Sequence, residues 1–563
     1  MRWTLKPQPD SDKVKSLQKA LQVDENISTL LLQRGIETFD EAKRFFRPKL
    51  KHLHDPFLMK DMDKAVARIE QAFANKENIL VYGDYDVDGT TAVALMSTYL
   101  KTRHGLVYTY IPDRYDEGYG ISYKGINFAL ENDFSLIIAL DCGIKSVEKV
   151  AHAKTLGIDF IICDHHRPGD EIPDAEAVLD PKREDCNYPY KELCGCGVGF
   201  KLVQALASKQ GKTAADLTEY LDLVATAIGA DIVPIDGENR VLAHFGLMVI
   251  NTNPRPGIKA ILKQVEKTEL TITDVVFVVA PRINAAGRME HGNYAVSLLV
   301  EEEEELAEKS AEGINNYNLN RRETDKQITE EALNQIEELN EQDRLSTVVY
   351  HPEWHKGVIG IVASRLTETY YRPTLVFTKS GNKLAASARS VRGFDVYNAL
   401  EACKEHIEQF GGHKYAAGLT LEEENYEAFK QAFEDIVSKT IDRNLLIPEI
   451  NIDTQIDLKD ITPKFYRILK QFAPYGPSNM TPVFMTDNLV DTGYGKCVGE
   501  DKTHLRLTAT QSGSSSTFVC IGFSMGDRFD VISEGKPFKS VYSIDENDWR
   551  GNVSLQLKLR DIK

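Results

Sequence analysis

The chain has 563 residues, 42% hydrophobic, 27% charged and 9% aromatic, with apolar material for roughly three or four domains. No run of 18 apolar residues occurs, and the start Met1-Arg2-Trp3-Thr4-Leu5-Lys6-Pro7 lacks the apolar stretch of a signal peptide, which argues against a membrane span or secretion and for a cytoplasmic protein. A net charge of −18 disfavours polyanions in general, but residues 301–345 alone carry 15 acidic and 5 basic groups, so more than half of the excess sits in one segment and a local groove elsewhere is free to bind them. The 8 cysteines follow no disulfide or zinc-finger spacing and read as reduced thiols.

Residues 1–62 read as a helical leader, since Val14-Lys15-Ser16-Leu17-Gln18-Lys19-Ala20-Leu21 and Ile27-Ser28-Thr29-Leu30-Leu31-Leu32 have helical spacing. From 63 to 240 short β-rich runs alternate with helical stretches, as in Ile79-Leu80-Val81-Tyr82, Leu136-Ile137-Ile138-Ala139-Leu140 and Phe160-Ile161-Ile162-Cys163; this predicts βαβ units and a mostly parallel sheet. The small-residue stretch from Leu221 to Ala230 predicts a helix packed against that sheet. Residues 241–344 form a helical region in which Ile314, Tyr317, Ile328, Ala332, Ile336 and Leu339 recur at helical intervals among charges, the pattern of a long, mostly solvated connector helix. A second α/β unit spans 345–440, with strands at Thr347-Val348-Val349-Tyr350, Thr374-Leu375-Val376-Phe377 and Leu384-Ala385-Ala386-Ser387. From 445 to 563 alternation in His504-Leu505-Arg506-Leu507-Thr508 and Ser554-Leu555-Gln556-Leu557-Lys558-Leu559 predicts a small β-barrel.

The strongest chemical signal is Val81-Tyr82-Gly83-Asp84-Tyr85-Asp86-Val87-Asp88-Gly89-Thr90. Three aspartates alternate directly after an apolar strand, and Gly89 is expected to turn the chain into a helix starting near Thr90. That is the carboxyl edge of a strand, where open α/β sheets bind ligands. An Asp-rich turn is the plain reading; a calcium loop of the EF-hand kind fails for want of its glutamate and flanking helices. The pattern recurs: Asp141 follows one strand and Asp164-His165-His166 another, while Asp231 ends the small-residue helix. One such aspartate is usually a cap, but three strand ends, one with paired histidines, are hard to explain as capping. Parallel strands bring these groups together, and like charges so close need a cation or strong donors. Oxygen ligands with imidazole suit Mn²⁺ or Mg²⁺ better than zinc. Six candidate ligands (Asp84, Asp86, Asp88, Asp141, His165 and Asp231) exceed the needs of one ion. Two ions sharing Asp141 would use them all and fit in-line attack on a phosphorus ester.

Gly83-Asp84-Tyr85-Asp86-Val87-Asp88-Gly89 and Asp164-His165-His166 resemble the first and third motifs of the DHH phosphoesterase superfamily. The resemblance narrows to its RecJ branch through Ala230-Asp231-Ile232-Val233-Pro234, Pro281-Arg282-Ile283-Asn284-Ala285-Ala286-Gly287-Arg288, His355-Lys356-Gly357-Val358-Ile359-Gly360 and Gly411-Gly412-His413-Lys414-Tyr415-Ala416-Ala417-Gly418, in order from about residue 70 to 560. It implies an α/β fold with a mostly parallel DHH domain, a connector helix, a second α/β domain of the DHHA1 type and an OB-like barrel. It also implies metal-dependent, 5′→3′ exonucleolytic hydrolysis of single-stranded DNA with a free 5′ end in DNA repair and recombination. A monomer is expected, with single-strand binding protein and a repair helicase as associates.

Residue by residue, Arg282 and Arg288 flank an Asn-Ala-Ala-Gly turn containing Asn284, where guanidinium groups reach a phosphate and small residues permit close approach. In RecJ-like enzymes the residues matching Ser387 and Arg389 lie where the 5′-terminal phosphate is held. Gly411 and Gly412, read as a helix start, let backbone approach a phosphate, and His413 can donate to a non-bridging oxygen, as His166 can from the first domain. His355 is equally readable as structural. Cys194-Gly195-Cys196-Gly197-Val198-Gly199 lacks the spacing of a nucleotide fingerprint or zinc site and reads as a flexible turn before a helix beginning near Phe200. Tyr475, Phe484, His504 and Arg506 are candidate strand contacts in the barrel, each also readable as core or surface. Some relatives continue further, so the end at Lys563 reads as a shorter form or a truncation. A hydrolase of short oligonucleotides or cyclic dinucleotides is the nearest rival, and the barrel argues against it. A catalytically dead binding module would lack the carboxylates, and a pyrophosphatase would not need the extra domains.

Overall fold

Five strands of the first α/β domain lie parallel in the order Val107–Tyr110, Asn78–Gly83, Phe134–Leu140, Asp159–Cys163, Ala177–Leu179. The computed structural model describes residues 1–563 apart from 264–266, 268, 534 and 550. The apolar runs are continuous because both faces of this sheet are covered. Ile79, Val81, Leu136, Ile138, Leu140, Ile161 and Cys163 face one core, and Leu80, Tyr82, Ile137, Ala139, Phe160 and Ile162 face another. The small-residue helix runs from Leu221 to Asp231 but sits one layer out from the sheet, packed against the helices Val87–Lys101 and Gly237–Thr252. A Cβ at Gly246 would lie 2.2 Å from the Leu221 carbonyl, so the small residues serve a helix–helix contact.

The connector is a helix of 35 residues, Glu304–Glu338, about 52 Å long. Its first half contributes Ala307, Ala311 and Ile314 to the core of the first domain. Its second half contributes Ile328, Ala332 and Ile336 to a core shared with Val349, Trp354, Val362 and Leu366 of the second. Leu339 falls just past its end and is exposed. Between the halves Asp325 is fully buried and paired with Arg365 at 2.7 Å. One rod thus fixes the second domain, whose mixed sheet runs Gln409–His413, Ala416–Leu421, Lys383–Arg389, Thr374–Ser380, Thr347–Tyr350.

The C-terminal sheet of seven strands closes on itself where Phe484–Asp491 pairs with His504–Gln511, giving the expected barrel. The leader begins with a strand, Arg2–Leu5, which pairs with Glu449–Ile452. Its helices then bury Leu17, Ile27, Leu30 and Leu31 in the barrel's own core. Arg240, on the helix Gly237–Thr252, fastens barrel and leader to the first domain. Its guanidinium donates to the carbonyls of Phe45, Gln471, Phe472, Ala473 and Pro474 and lies 3.7 Å from the Phe45 ring. Among the described residues no helix is long and apolar enough to cross a membrane.

Candidate metal centre

The sheet register delivers three carboxylates side by side. Gly83 pairs with Leu140 and Leu140 with Cys163, so Asp84, Asp141 and Asp164 leave the same carboxyl edge. Asp84 is fully buried, and neither of its oxygens has a hydrogen-bond partner. Burial and the neighbouring charge of Asp86 push its carboxyl well above the usual range. Asp86 caps the next helix, accepting from the Gly89 amide at 3.1 Å. That helix begins at Val87, not near Thr90, because Asp86 supplies the cap. Gly89 lies inside its first turn, where a Cβ would sit 2.4 Å from the Asp84 carbonyl.

Asp88 therefore points from the first helical turn. Its oxygens accept from the amides of Gly195 at 2.6 Å and Cys196 at 2.7 Å. Those amides open a helix, Gly195–Ser208, whose first turn is capped by Cys194 Sγ, which accepts from Gly197 N at 3.3 Å. The expected flexible turn before Phe200 is thus a rigid helix start. Its glycines lower helix propensity, but a buried carboxylate at the N-terminus and close packing outweigh that. A Cβ at Gly195 would lie 2.5 Å from the Asp141 Cβ. Even with both amides, burial and the Asp86 charge lift Asp88 to about 7.

Asp141 adopts φ +59°, and its Oδ1 is buried without a hydrogen bond. Burial, then the charges of Asp88, Asp86, Asp231 and Asp84, raise its carboxyl far above the usual range. His165 Nε2 lies 3.2 Å from Asp141 Oδ1, 3.6 Å from Asp231 Oδ2 and 3.8 Å from Asp88 Oδ2. Neither ring nitrogen of His165 is hydrogen-bonded. Burial and the neighbouring His166 hold it down to about 3, so it is neutral. Asp231 is raised to about 8 by burial and by Asp88 and Asp86. The ligand atoms form overlapping triads, Asp84–Asp86–Asp141, Asp88–His165–Asp231 and Asp141–His165–His166, each within 4.8 Å. Orphaned carboxylate oxygens and imidazole nitrogens gathered in one pocket fit divalent cations: carboxylates buried so close together cost free energy that a cation offsets.

Asp164 has a different environment. Its oxygens accept from the amides of Ile144, His165 and His166 and from His166 Nδ1, the last at 2.7 Å. Against the upward pull of burial, the His166 contact brings it down to about 2. Asp164 thus shapes the loop and orients His166, while the metal-ligand triads form without it. Burial opposes charge on His166, but Asp164 wins and lifts the ring to about 9, making it a cation at neutral pH. Its Nε2 lies 3.2 Å from the Tyr119 hydroxyl.

Arg288 lies half-buried at the junction with the second domain, donating to the Gly357 carbonyl at 3.2 Å. Burial and repulsion from Arg114, Arg321 and Arg389 lower it to about 10. Arg389 donates to Ser387 Oγ at 2.9 Å, and Arg114 stacks on Tyr85 at 3.9 Å. A Cβ at Gly360 would lie 3.0 Å from both Arg389 and Ser387, so bare backbone abuts this pair. Guanidinium groups crowded in this way suit a phosphate. Arg282 and Asn284 are not in a turn: with Arg288 they lie on the helix Ala280–Met289, which Pro281 starts and two alanines support. Arg282 faces Asn315 and the Val278 carbonyl, outside the cluster, and Asn284 Oδ1 is buried without a partner.

Gly411 and Gly412 lie on the edge strand Gln409–His413, not at a helix start. Gly412, at φ +145°, abuts the neighbouring strand, where a Cβ would meet the Ala416 carbonyl at 2.4 Å. Burial, then the charges of His166 and Lys145, lower His413. His355 Nδ1 accepts from the Gly357 amide, a structural role. In the barrel Phe484 is core and the Tyr475 hydroxyl donates to the Leu469 carbonyl, whereas His504 and Arg506 reach the surface. Sequence reasoning misses Arg114, Arg321, Tyr119 and the amides of Gly195 and Cys196. It also misses Asp180, buried directly after Ala177-Val178-Leu179 and raised to about 7 by burial, although the same strand-then-Asp pattern marks it.

Known proteins resemble this chain in sequence and fold. Models of the DHH family N-terminal domain, the DHHA1 domain and the RecJ OB domain match residues 78–228, 344–439 and 452–561. The chain is 37% identical to the single-stranded-DNA-specific exonuclease RecJ of Bacillus subtilis, covering 100% of this chain and 70% of that one. It is 34% identical to that of Escherichia coli, with 95% of each covered. The crystal structure of RecJ from Thermus thermophilus in complex with Mn²⁺ superposes with a TM-score of 0.86 at 26% identity, covering 100% of this chain and 79% of that one. In complex with Mg²⁺ the same protein gives 0.79 at 25% identity, covering 100% and 78%.

Proposed function

The chain belongs to the RecJ family of single-stranded-DNA-specific exonucleases, and on that footing we propose that it removes nucleotides from the 5′ end of single-stranded DNA with two divalent cations, Mn²⁺ or Mg²⁺. One observation carries the reading: two ligand triads, Asp84–Asp86–Asp141 and Asp88–His165–Asp231, meet at Asp141 and His165, with buried oxygens and nitrogens left unpartnered. Asp141 would be shared, with Asp84 or Asp86 on one side and Asp88, His165 and Asp231 on the other. Cations bound there would supply activation of water and charge stabilisation at the leaving oxygen.

The rest is done by the chain. Asp88 is aimed by two amides and Asp141 by its left-handed backbone. His166, a cation held by Asp164, donates to a phosphoryl oxygen, and His413 approaches from the second domain. Arg114, Arg288, Arg389 and Ser387 grip the terminal phosphate, which sets polarity by requiring a free 5′ end. A cleft between two domains admits one strand and excludes a duplex. The same proposal covers a monomeric cytoplasmic enzyme of DNA repair and recombination that meets single-strand binding protein and a repair helicase, on the strength of family resemblance.

The test is degradation of single-stranded DNA labelled at one end, with and without Mn²⁺. Mononucleotides should leave from the 5′ end, and Asp141→Ala should release almost none. Equal attack from both ends would defeat the polarity, and cleavage of circular strands would defeat exonucleolytic action.

A further inference from the structure

Ile232 follows Asp231 and closes the helix Leu221–Asp231 at φ +59°, ψ +30°. Among the described residues it is the one β-branched side chain at positive φ. That conformation suits glycine or asparagine and strains a β-branched residue. Its side chain also gains nothing from the core: it is 67% exposed, whereas Val233 and Ile235 beside it are buried. Local conformation and packing therefore both argue against isoleucine here. The position explains what else could use it. Asp231 reaches into the metal centre, 3.6 Å from His165 Nε2. Three residues beyond Ile232, the Ile235 amide donates to the Pro477 carbonyl at 2.8 Å, at the entrance to the barrel. Residues 231–235 thus link the metal centre to the entrance of the OB domain, and Ile232 is the exposed side chain between them.

We propose that Ile232 is a substrate contact whose apolar side chain packs against a nucleobase of the DNA strand next to the scissile phosphate. The inference rests on the exonuclease reading above and adds a binding residue to it. Faces of nucleobases are apolar and sequence-independent, so one aliphatic side chain can serve every nucleotide that passes.

The test compares wild type with Ile232→Asn and Ile232→Gly, both at ease in the left-handed region. The thermal midpoint and calorimetric Mn²⁺ uptake should be unchanged or improved, because strain is relieved and no ligand is touched. KM for a 5′-phosphorylated oligothymidylate should rise about tenfold, the loss of one apolar contact, with kcat nearly unchanged. Strands carrying an abasic residue at each of the first few positions in turn should, at one position, cost the wild type what the variants have already lost. Unaltered KM in both variants, or no position that couples, would overturn the contact alone. A fallen midpoint or lost Mn²⁺ uptake would show a structural role and overturn it likewise. A wild-type protein inert on single strands would overturn the exonuclease reading and this contact with it.

Discussion

Gly195→Ala changes no charge, ligand or predicted strand contact, yet it should disable the centre. A Cβ at 195 would sit 2.5 Å from Asp141 Cβ, 2.6 Å from its Oδ1 and 2.8 Å from its Cα. Ordinary contact begins near 3.4 Å, so the two segments are about 0.9 Å too close. Neither can yield cheaply. Gly195 is tied by its amide to Asp88 at 2.6 Å, and the Asp141 amide donates to the Cys163 carbonyl at 2.9 Å. Displacing reacting groups by about 1 Å costs on the order of a hundredfold in rate, or about 2.7 kcal/mol of barrier. Overpacking adds about 1–3 kcal/mol of destabilisation. Gly197→Ala, in the same first turn, is the control: its Cβ would meet nothing closer than 3.5 Å, and alanine for glycine in a helix gains about 0.5–1 kcal/mol. The assay is kcat/KM on single-stranded DNA with saturating Mn²⁺, beside thermal midpoints. A Gly195→Ala enzyme within about threefold of wild type would refute the claim that Asp141 geometry limits the reaction. So would a Gly197→Ala enzyme equally impaired.

Two further outcomes follow from the same geometry. Asp88, Asp231 and His166 sit near 7, 8 and 9 in the folded protein, all above their ordinary values of 3.8, 3.8 and 6.5, so without metal the folded state binds more protons than the unfolded chain. Asp164, lowered to about 2, acts with the opposite sign only below about 4. His165, held down to about 3, does so up to about 6.5, but the raised carboxyls of Asp84, Asp88, Asp141 and Asp231 outnumber it. Stability of the metal-free protein must therefore fall as pH rises from about 4 to about 9. Thermal midpoints in EDTA should drop by several degrees between mildly acidic and alkaline buffer, and saturating Mn²⁺ should remove the drop; a flat or rising profile in EDTA would contradict the burial of these charges. Arg240→Met strips five carbonyls of their donor and should cost about 3 kcal/mol at the barrel junction. Trypsin should then release the barrel and long strands should lose more activity than short ones, whereas an unchanged digestion pattern would deny Arg240 that role.

What the sequence discloses and what it hides divide along the origin of the contacts. Asp84, Asp141 and Asp164 are legible because parallel strands put successive carboxyl ends together whatever else the chain does, and continuous apolar runs mark such strands. The connector helix is legible from its 3.6-residue period, and the barrel from alternation. The helix at Gly195 is not, since three glycines read locally as a turn and only a distant carboxylate, Asp88, makes the start favourable. Asp180 escapes because its strand is three residues long, which leaves the strand-then-Asp pattern faint. Arg114, Arg321 and Arg389 lie in unrelated stretches, and Arg389 joins the others around Arg288 only when the connector fixes the second domain. Asp164 and Asp141 share one signature in the sequence, and only the hydrogen bonds separate an orienting carboxylate from an unpartnered one.

The two halves of the cleft together call for a phosphodiester. On one side burial and mutual repulsion, with Asp86 among the sources, raise the carboxyls of Asp84, Asp88, Asp141 and Asp231, and His166 is the cation beside them. On the other, burial and then repulsion from Arg114, Arg321 and Arg389 depress Arg288. Opposite charges this strong would neutralise each other if folding stability alone set the arrangement. Instead Arg114 offsets Asp84, and Asp86 offsets Arg288, only in part, so burial and like charges prevail in each cluster. An anion carrying its own divalent cations is the ligand that answers both at once: its phosphate meets the guanidinium groups and its counter-ions meet the carboxylates.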